Sequence, residues 1–344
     1  MQVNLPLASE HERFIRRTLL SLADTFVDVF GTSEARRDSS AQPGVPDRFL
    51  LGRAALYSVL ARFDEAEQLY RRFDLESAGT GGTTYDALRT QLEFIEQLSR
   101  HAERMGDTSV LERFRPAIAR TIASCVVGTD GLISIEGRTP VEIQALYYNA
   151  LRILVRLDPQ GNWSNRSQAV RHAISRRYDE LVRGSDGAVT PAALYLVGLS
   201  GVISADHHND LVTGAQQAEI IEAGRQALAG ATAEDTASLA IFAGLYANAR
   251  LALPAGDAER EEVSFDEMRS LINPILDGVL RGGTFSSGDW GGGVSVPLAI
   301  AELCRVFDLF SKPRLPGLDD PERAFRGAIR QFDIRSIKGL GGAA

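Results

Sequence analysis

The chain has 344 residues, 44% hydrophobic and 24% charged, with a formal net charge of −8. That composition belongs to an ordinary globular chain with enough apolar material for a large core, and its acidic balance argues against sequence-independent binding of nucleic acid. Lys312 and Lys338 are the only lysines, so arginine carries nearly all of the positive charge. Cys125 and Cys304 lie far apart and match no metal-ligand spacing, which predicts two free thiols and a cytoplasmic location. Glu10, His11, Glu12 and Arg13 precede the first apolar stretch, unlike a signal peptide. The longest apolar run, Ala192 to Ser204, is too short for a bilayer span and holds Gly198 and Gly201. No membrane contact and no cofactor are expected.

In chain order, helical periodicity predicts helices beginning near residues 10, 49, 64, 84, 108, 140, 166, 191, 214, 233, 265, 294 and 321. Short breakers separate them: Gly79–Gly82, Gly128–Gly131, Asp158–Gly161, Gly184–Gly187 and Gly282–Gly293. Strand-like alternation is scarce, and Gly131 to Gly137 is the best candidate for a short extended piece. Residues 31–47 and 252–263 are predicted as loop. The expectation is a single all-α domain of helical hairpins over 1–344, with 1–46 peripheral and 338–344 a mobile tail. Irregular hairpin spacing favours a closed toroid over a regular solenoid. A weak internal echo fits serial hairpins in such a ring: Asp130-Gly131 and Asp186-Gly187 each precede a Thr-Pro helix start, at Thr139-Pro140 and Thr190-Pro191. Each of those helices carries a Leu-Tyr pair, at Leu146-Tyr147 and Leu194-Tyr195.

Residues 137–157 hold the most information. Thr139 is the predicted N-cap, Pro140 the first helical residue, and Glu142 the partner in a Thr-x-x-Glu capping box. Ile143, Leu146, Tyr147, Ala150, Leu154 and Leu157 recur at helical spacing and give one apolar face. Glu142 therefore has a capping role as an alternative to a chemical one. Tyr147, Tyr148 and Asn149 read either as core or as a platform for a ligand.

This segment resembles the C-terminal glucosidase domain of glycogen debranching enzymes, an (α/α)6 barrel. Further segments follow in the family's order: Phe49 to Ala54 with Gly52-Arg53, Arg62 to Ala66, Thr84-Tyr85-Asp86-Ala87 with Phe94-Ile95, Asp130 to Ile133, and Gly288 to Arg305. The resemblance spans roughly residues 47–310. It implies an (α/α)6 toroid of the six-hairpin glycosidase kind, a carbohydrate or glucan as the small-molecule partner, and a site involving Arg53, Asp86, Tyr147, Tyr148, Asn149 and Trp290. It leaves room for a protein partner.

The departures bear on chemistry. The family's Gly-Arg-Asp aspartate is Ala54 here, and only Ile133 to Thr139 replace the connection that carries the family's general acid. Thr284 to Ser287 stand where its general base lies. Glycoside hydrolysis needs two carboxyl groups, separated by roughly 6.5–9.5 Å in inverting enzymes. The expectation is thus lost or altered hydrolysis. The alternatives are an active hydrolase with replacement carboxylates from Asp289, Glu136 and Glu142, a non-catalytic glycan- or protein-binding barrel, or a barrel recruited to other small-molecule chemistry such as an isomerisation. Asp289 also reads as a turn residue before a Gly-rich helix start. Asp206 to Asp210, with His207 and His208, reads as a solvated turn in preference to a metal site, and no metal is expected.

Overall fold

A computed structural model describes residues 48–77, 84–199, 211–230, 236–251, 270–272, 275 and 296–311. The helices are α1 (Arg48–Val59), α2 (Phe63–Ser77), α3 (Tyr85–Met105), α4 (Ser109–Ser124), α5 (Val141–Leu157), α6 (Trp163–Arg176) and α7 (Tyr178–Val182). A 3₁₀ turn (Pro191–Leu194) leads into α8 (Tyr195–Gly198), followed by α9 (Gly214–Ala229), α10 (Thr236–Leu251) and α11 (Val296–Ser311). The all-α expectation holds among the described residues, where extended structure is limited to isolated bridges. The helix expected near 166 begins at Trp163, and that near 191 opens as the 3₁₀ turn. Those expected near 10, 265 and 321 lie outside the described residues, as do Gly282–Gly293 and Asp206–Asp210.

Local chemistry explains several boundaries. Thr84 caps α3 by accepting from the Ala87 N–H, and the helix stops at Gly106, whose φ of +67° sends its N–H back to the carbonyls of Ala102 and Glu103. Thr213 and Gln216 form a reciprocal capping box on α9. At α5 the expected box is absent. The helix begins at Val141, Pro140 occupies the N-cap position, and no side chain caps it. A proline there supplies the fixed φ that starts a helix, so Glu142 is released for another partner.

The internal echo is visible as repeated turn chemistry. In both turns an aspartate accepts from the N–H two residues on (Leu132 to Asp130, 3.1 Å; Ala188 to Asp186, 3.0 Å), and Gly131 and Gly187 take positive φ. Flanking bridges join Val127 to Ile133 and Arg183 to Val189. The first turn leads towards α5 and the second into the 3₁₀ turn and α8, so each hairpin delivers the start of a helix.

Those helices follow a cyclic order. α1 packs on α3, α3 on α5, α5 on α8, α8 on α10, α10 on α11, and α11 back on α1. The intervening helices sit against consecutive members: α2 on α1 and α3, α4 on α3 and α5, α6 on α5, α9 on α10. Apolar side chains fill the space between them, as where Phe73 stacks on Phe94 at 4.9 Å and Phe94 meets Phe114 edge-on at 6.0 Å.

One histidine belongs wholly to this core. His101 has no exposed surface, its Nδ1 lies 2.9 Å from Ser58 Oγ, its Nε2 is buried without a partner, and the Phe63 and Tyr70 rings meet it edge-on. Burial pushes its pKa down to about 4, against the pull of Glu67. The unfolded chain takes up the proton near pH 6.5 while the fold refuses it, so stability is lost as pH falls from about 6.5 towards 4. Between pH 7 and pH 5 this one group removes about 2 kcal/mol. Urea unfolding at both pH values checks it: in His101→Gln the pH 7-to-5 loss shrinks by that amount, and an unchanged loss refutes the assignment.

Candidate functional site at the helix N-termini

The starts of four helices of the cycle meet through their side chains. Tyr85 is the first residue of α3, Glu142 the second of α5, Tyr195 the first of α8 and Arg48 the first of α1. The Tyr85 hydroxyl donates to Glu142 Oε1 in a short contact. Arg89, one turn into α3, donates from Nη1 to the Tyr85 oxygen and from Nη2 to the Tyr195 oxygen, each at 3.2 Å. Its Nε donates to Glu93 at 3.0 Å, and Arg48 Nη2 reaches both Glu93 oxygens at 2.7 and 3.0 Å. One guanidinium thus holds two phenols and a carboxylate, with a second guanidinium closing the far side.

Burial grades through this cluster. Glu142 and Tyr85 are half-buried and Asp86 beside them is exposed, whereas Glu93 and Tyr195 are fully buried. Burial alone would raise the Glu93 carboxyl, but Arg48 and Arg89 overcome it and hold the group below its ordinary range. Glu93 therefore stays ionised and cannot serve as a proton donor near neutral pH. Burial raises both phenols, Tyr195 to about 12 against the opposing pull of Arg89, so both hydroxyls keep their protons.

Deeper along the same face of α3 lies a second buried network. Glu96 accepts from Arg100 Nε (2.7 Å) and Asn149 Nδ2 (2.8 Å). Arg100 also makes a short contact with Glu302 of α11, which accepts from Arg305 at 2.9 and 3.1 Å and from Gln97 at 3.4 Å. Arg305 continues to Asn248 Oδ1 on α10 (2.8 Å), and Asn248 donates to the Gly198 carbonyl of α8 (2.8 Å). Gly244 leaves the space that the Glu302 and Arg305 head groups occupy. Tyr85, Arg89, Glu93, Glu96 and Arg100 recur at three- and four-residue spacing, so one stripe of α3 connects the cluster of helix starts to this interior.

The residues singled out by sequence are distributed as follows. Glu142 is in the cluster at the helix starts, and exposed Asp86 is beside Tyr85 on α3. Asn149 is fully buried on Glu96 in the interior network. Tyr147 faces the other way: its hydroxyl accepts from Arg166 of α6 at 2.6 Å, and Arg166 also lies over the Trp163 ring. Tyr148 is buried in the core. The Arg53 Nε is buried without a hydrogen-bond partner. Glu136 is exposed at positive φ in the tight turn bridging Ile135 to Arg138. Asp289 and Trp290 lie outside the described residues.

The sequence does not single out Arg48, Arg89, Glu93 or Tyr195 as site residues. The signal it carries is the Tyr85–Arg89–Glu93 spacing, which on its own reads as a solvated helix face with i,i+4 pairs. Two surface depressions are found elsewhere among the described residues. One of roughly 450 Å³ is lined by Asp130, His172, Ser175 and Arg176, and one of roughly 300 Å³ by Arg71, Asp74, Arg113 and Phe114. No group of His, Cys, Asp and Glu among the described residues has metal-binding geometry, and no described helix is long and apolar enough to cross a membrane.

No family model, no curated protein and no solved structure matches this chain.

Proposed function

We propose that this chain is a carbohydrate-related (α/α)6 toroid that resembles the debranching-enzyme glucosidase domain, has lost or altered its hydrolytic reaction, and binds a neutral polyhydroxylated molecule or glucan end at the helix N-termini. The cyclic contact order of α1, α3, α5, α8, α10 and α11, with α2, α4, α6 and α9 set between or against them, supports the toroid. The observation that carries the functional reading is Glu142, freed from capping and held at a half-buried mouth by Tyr85, with Arg89, Glu93 and Arg48 braced behind it. Acceptor carboxylate, phenol and guanidinium together suit the mixed donors and acceptors of vicinal hydroxyls. Arg48 and Arg89 stand against three carboxyl groups, Glu93, Glu142 and neighbouring Asp86, so the cluster has no surplus positive charge to recruit an anion and an uncharged ligand is favoured.

The same cluster supports altered hydrolysis. Glycosidic cleavage needs one protonated and one ionised carboxyl group across the scissile bond. Glu93 is clamped as an anion by two guanidiniums, so it fills neither role at an accessible position. Cys125 and Cys304 are both buried and neither is in a disulfide, which supports the cytoplasmic setting.

Calorimetric titration of the intact chain with maltotriose tests the reading. Binding is expected, weakened about 10- to 100-fold in Glu142→Gln because a charge-assisted hydrogen bond contributes about 1.5–3 kcal/mol. Glucose release during long incubation is expected to stay at background. Absence of heat with maltotriose and with free monosaccharides would sink the proposal, and steady glucose release would replace it with an active hydrolase.

A further inference from the structure

The mouth cluster contains one accessible carboxylate that touches a phenol, and that phenol is backed by a guanidinium. Among the described residues this hydrogen-bonded set holds a single accessible carboxyl group, with exposed Asp86 its neighbour on α3, whereas glycosyl transfer uses two across the scissile bond. The set is complete for a different reaction, in which a proton moves between carbon and a base while a donor serves the neighbouring oxygen. Resting on the reading that this mouth holds a sugar, we propose that Glu142 and Tyr85 are the base and acid of an aldose–ketose isomerisation, with Arg89 as their positioning residue.

Three features of the geometry support the assignment. The two groups that would touch the substrate are half-buried, while Arg89, Glu93, Arg48 and Tyr195 are buried behind them or nearly so, with Arg89 and Arg48 side chains only 18% and 14% exposed. The reacting edge is reachable and its supports are locked, which is the arrangement that preorganised acid–base sites require. Next, Arg89 donates to the oxygens of both Tyr85 and Tyr195, so a negative charge arising on Tyr85 meets a guanidinium already in place. Lastly, Glu93 and Arg48 hold Arg89 from behind, so its orientation does not depend on the ligand.

The step balances without any oxidant or reductant. The Glu142 carboxylate takes the proton from C2 of the open-chain aldose, and the C–H electron pair forms the C1–C2 double bond. The carbonyl pair moves to O1, which takes the Tyr85 phenolic proton, and Arg89 stabilises the phenolate. In the second half Glu142 returns its proton to C1. The O2 hydroxyl gives its proton to Tyr85 as the C2 carbonyl forms, so the ketose leaves and both side chains are restored. Tyr85 enters the cycle protonated, consistent with the rise that burial gives its hydroxyl.

Proton NMR in D₂O with purified full-length chain tests this, using glucose, mannose and fructose as probes beside calorimetry on the same sugars. Wild-type protein is expected to introduce deuterium at C1 or C2 and to interconvert aldose and ketose. Exchange should fall at least 100-fold in Glu142→Gln and about 10- to 100-fold in Tyr85→Phe. Tyr85→Phe keeps the ring but removes a hydrogen-bond partner of both Glu142 and the sugar, so calorimetry on the variant measures the loss of binding and the exchange rate at saturating sugar reads the chemistry apart from it. Binding without deuterium exchange overturns the isomerase assignment alone. Lack of binding by every sugar overturns it together with the proposed function, and exchange that survives in Glu142→Gln removes Glu142 from the base role.

Discussion

Replacing Glu302 by alanine is expected to lower the unfolding free energy by about 3–5 kcal/mol, among the largest single-site losses in this fold. Glu302 is 2% exposed and accepts from Arg100, Arg305 and Gln97, so its removal leaves two guanidiniums buried without their main counter-charge. Burial by itself would raise the Glu302 carboxyl, yet Arg100 and Arg305 hold it below its ordinary range, so the charged form belongs to the native state. Typical domains unfold with only about 5–15 kcal/mol, so a loss of this size removes a large part of the whole. The pair itself need not be stabilising relative to an apolar core. Because Arg100 also pairs with buried Glu96, the combined change Glu96→Gln, Arg100→Met, Glu302→Leu, Arg305→Met, which leaves no charge in the network, should therefore recover much of what Glu302→Ala loses. Urea unfolding at pH 7 decides the matter: a loss below about 1 kcal/mol in Glu302→Ala would mean that water already reaches this network.

Gly198→Ala is expected to cost about 3 kcal/mol, at the upper end for adding one carbon to a packed site. A Cβ there would overlap the Leu245 carbonyl oxygen and stand 2.7 Å from the Leu245 Cα. Both are backbone atoms of α10, so no rotamer change can clear the way and α8 must move off α10. That movement also stretches the Asn248 to Gly198 hydrogen bond, at present 2.8 Å, and through Asn248 disturbs Arg305. Gly230→Ala is the control, because its nearest neighbour to a new Cβ is 3.4 Å away. A thermal midpoint for Gly198→Ala within a degree or two of wild type would show that the two helices are not in backbone contact.

Much of the local structure can be read directly from residue order. Thr84 and Gly106 mark the ends of α3, Thr213 with Gln216 marks the start of α9, and the paired Asp-Gly turns before α5 and α8 repeat the same hydrogen bonds. These features depend on atoms a few residues apart, so a linear string contains them. Glu142 shows where that legibility stops. Thr139-x-x-Glu142 satisfies the capping pattern, but Pro140 already starts the helix, and Tyr85, 57 residues away, offers the carboxylate a partner instead. Tyr147 and Tyr195 carry the same Leu-Tyr echo yet face different neighbours, Arg166 of α6 for one and Arg89 of α3 for the other. Which side of a helix meets which neighbour is set by helix rotation within the assembly, and no short motif encodes it.

The sequence by itself determined the all-α character of the described residues, the approximate starts of most described helices and the turn pairs that deliver two of them. Only the tertiary structure decided what the charged stripe of α3 is for. Alternating arginine and glutamate at helical spacing reads as a solvated face, because a charge usually cannot leave water without a large penalty. In this protein the contacts of α1, α5 and α11 close over that stripe: Glu93 meets Arg48 of α1, Glu96 the Asn149 amide of α5 and Arg100 Glu302 of α11, beside the Arg89–Glu93 and Arg100–Glu96 pairs within α3 itself. Pairing across the chain makes the burial tolerable. The same packing gathers Tyr85, Arg89, Glu142 and Tyr195 at neighbouring helix starts, where the chemistry proposed for this protein would take place.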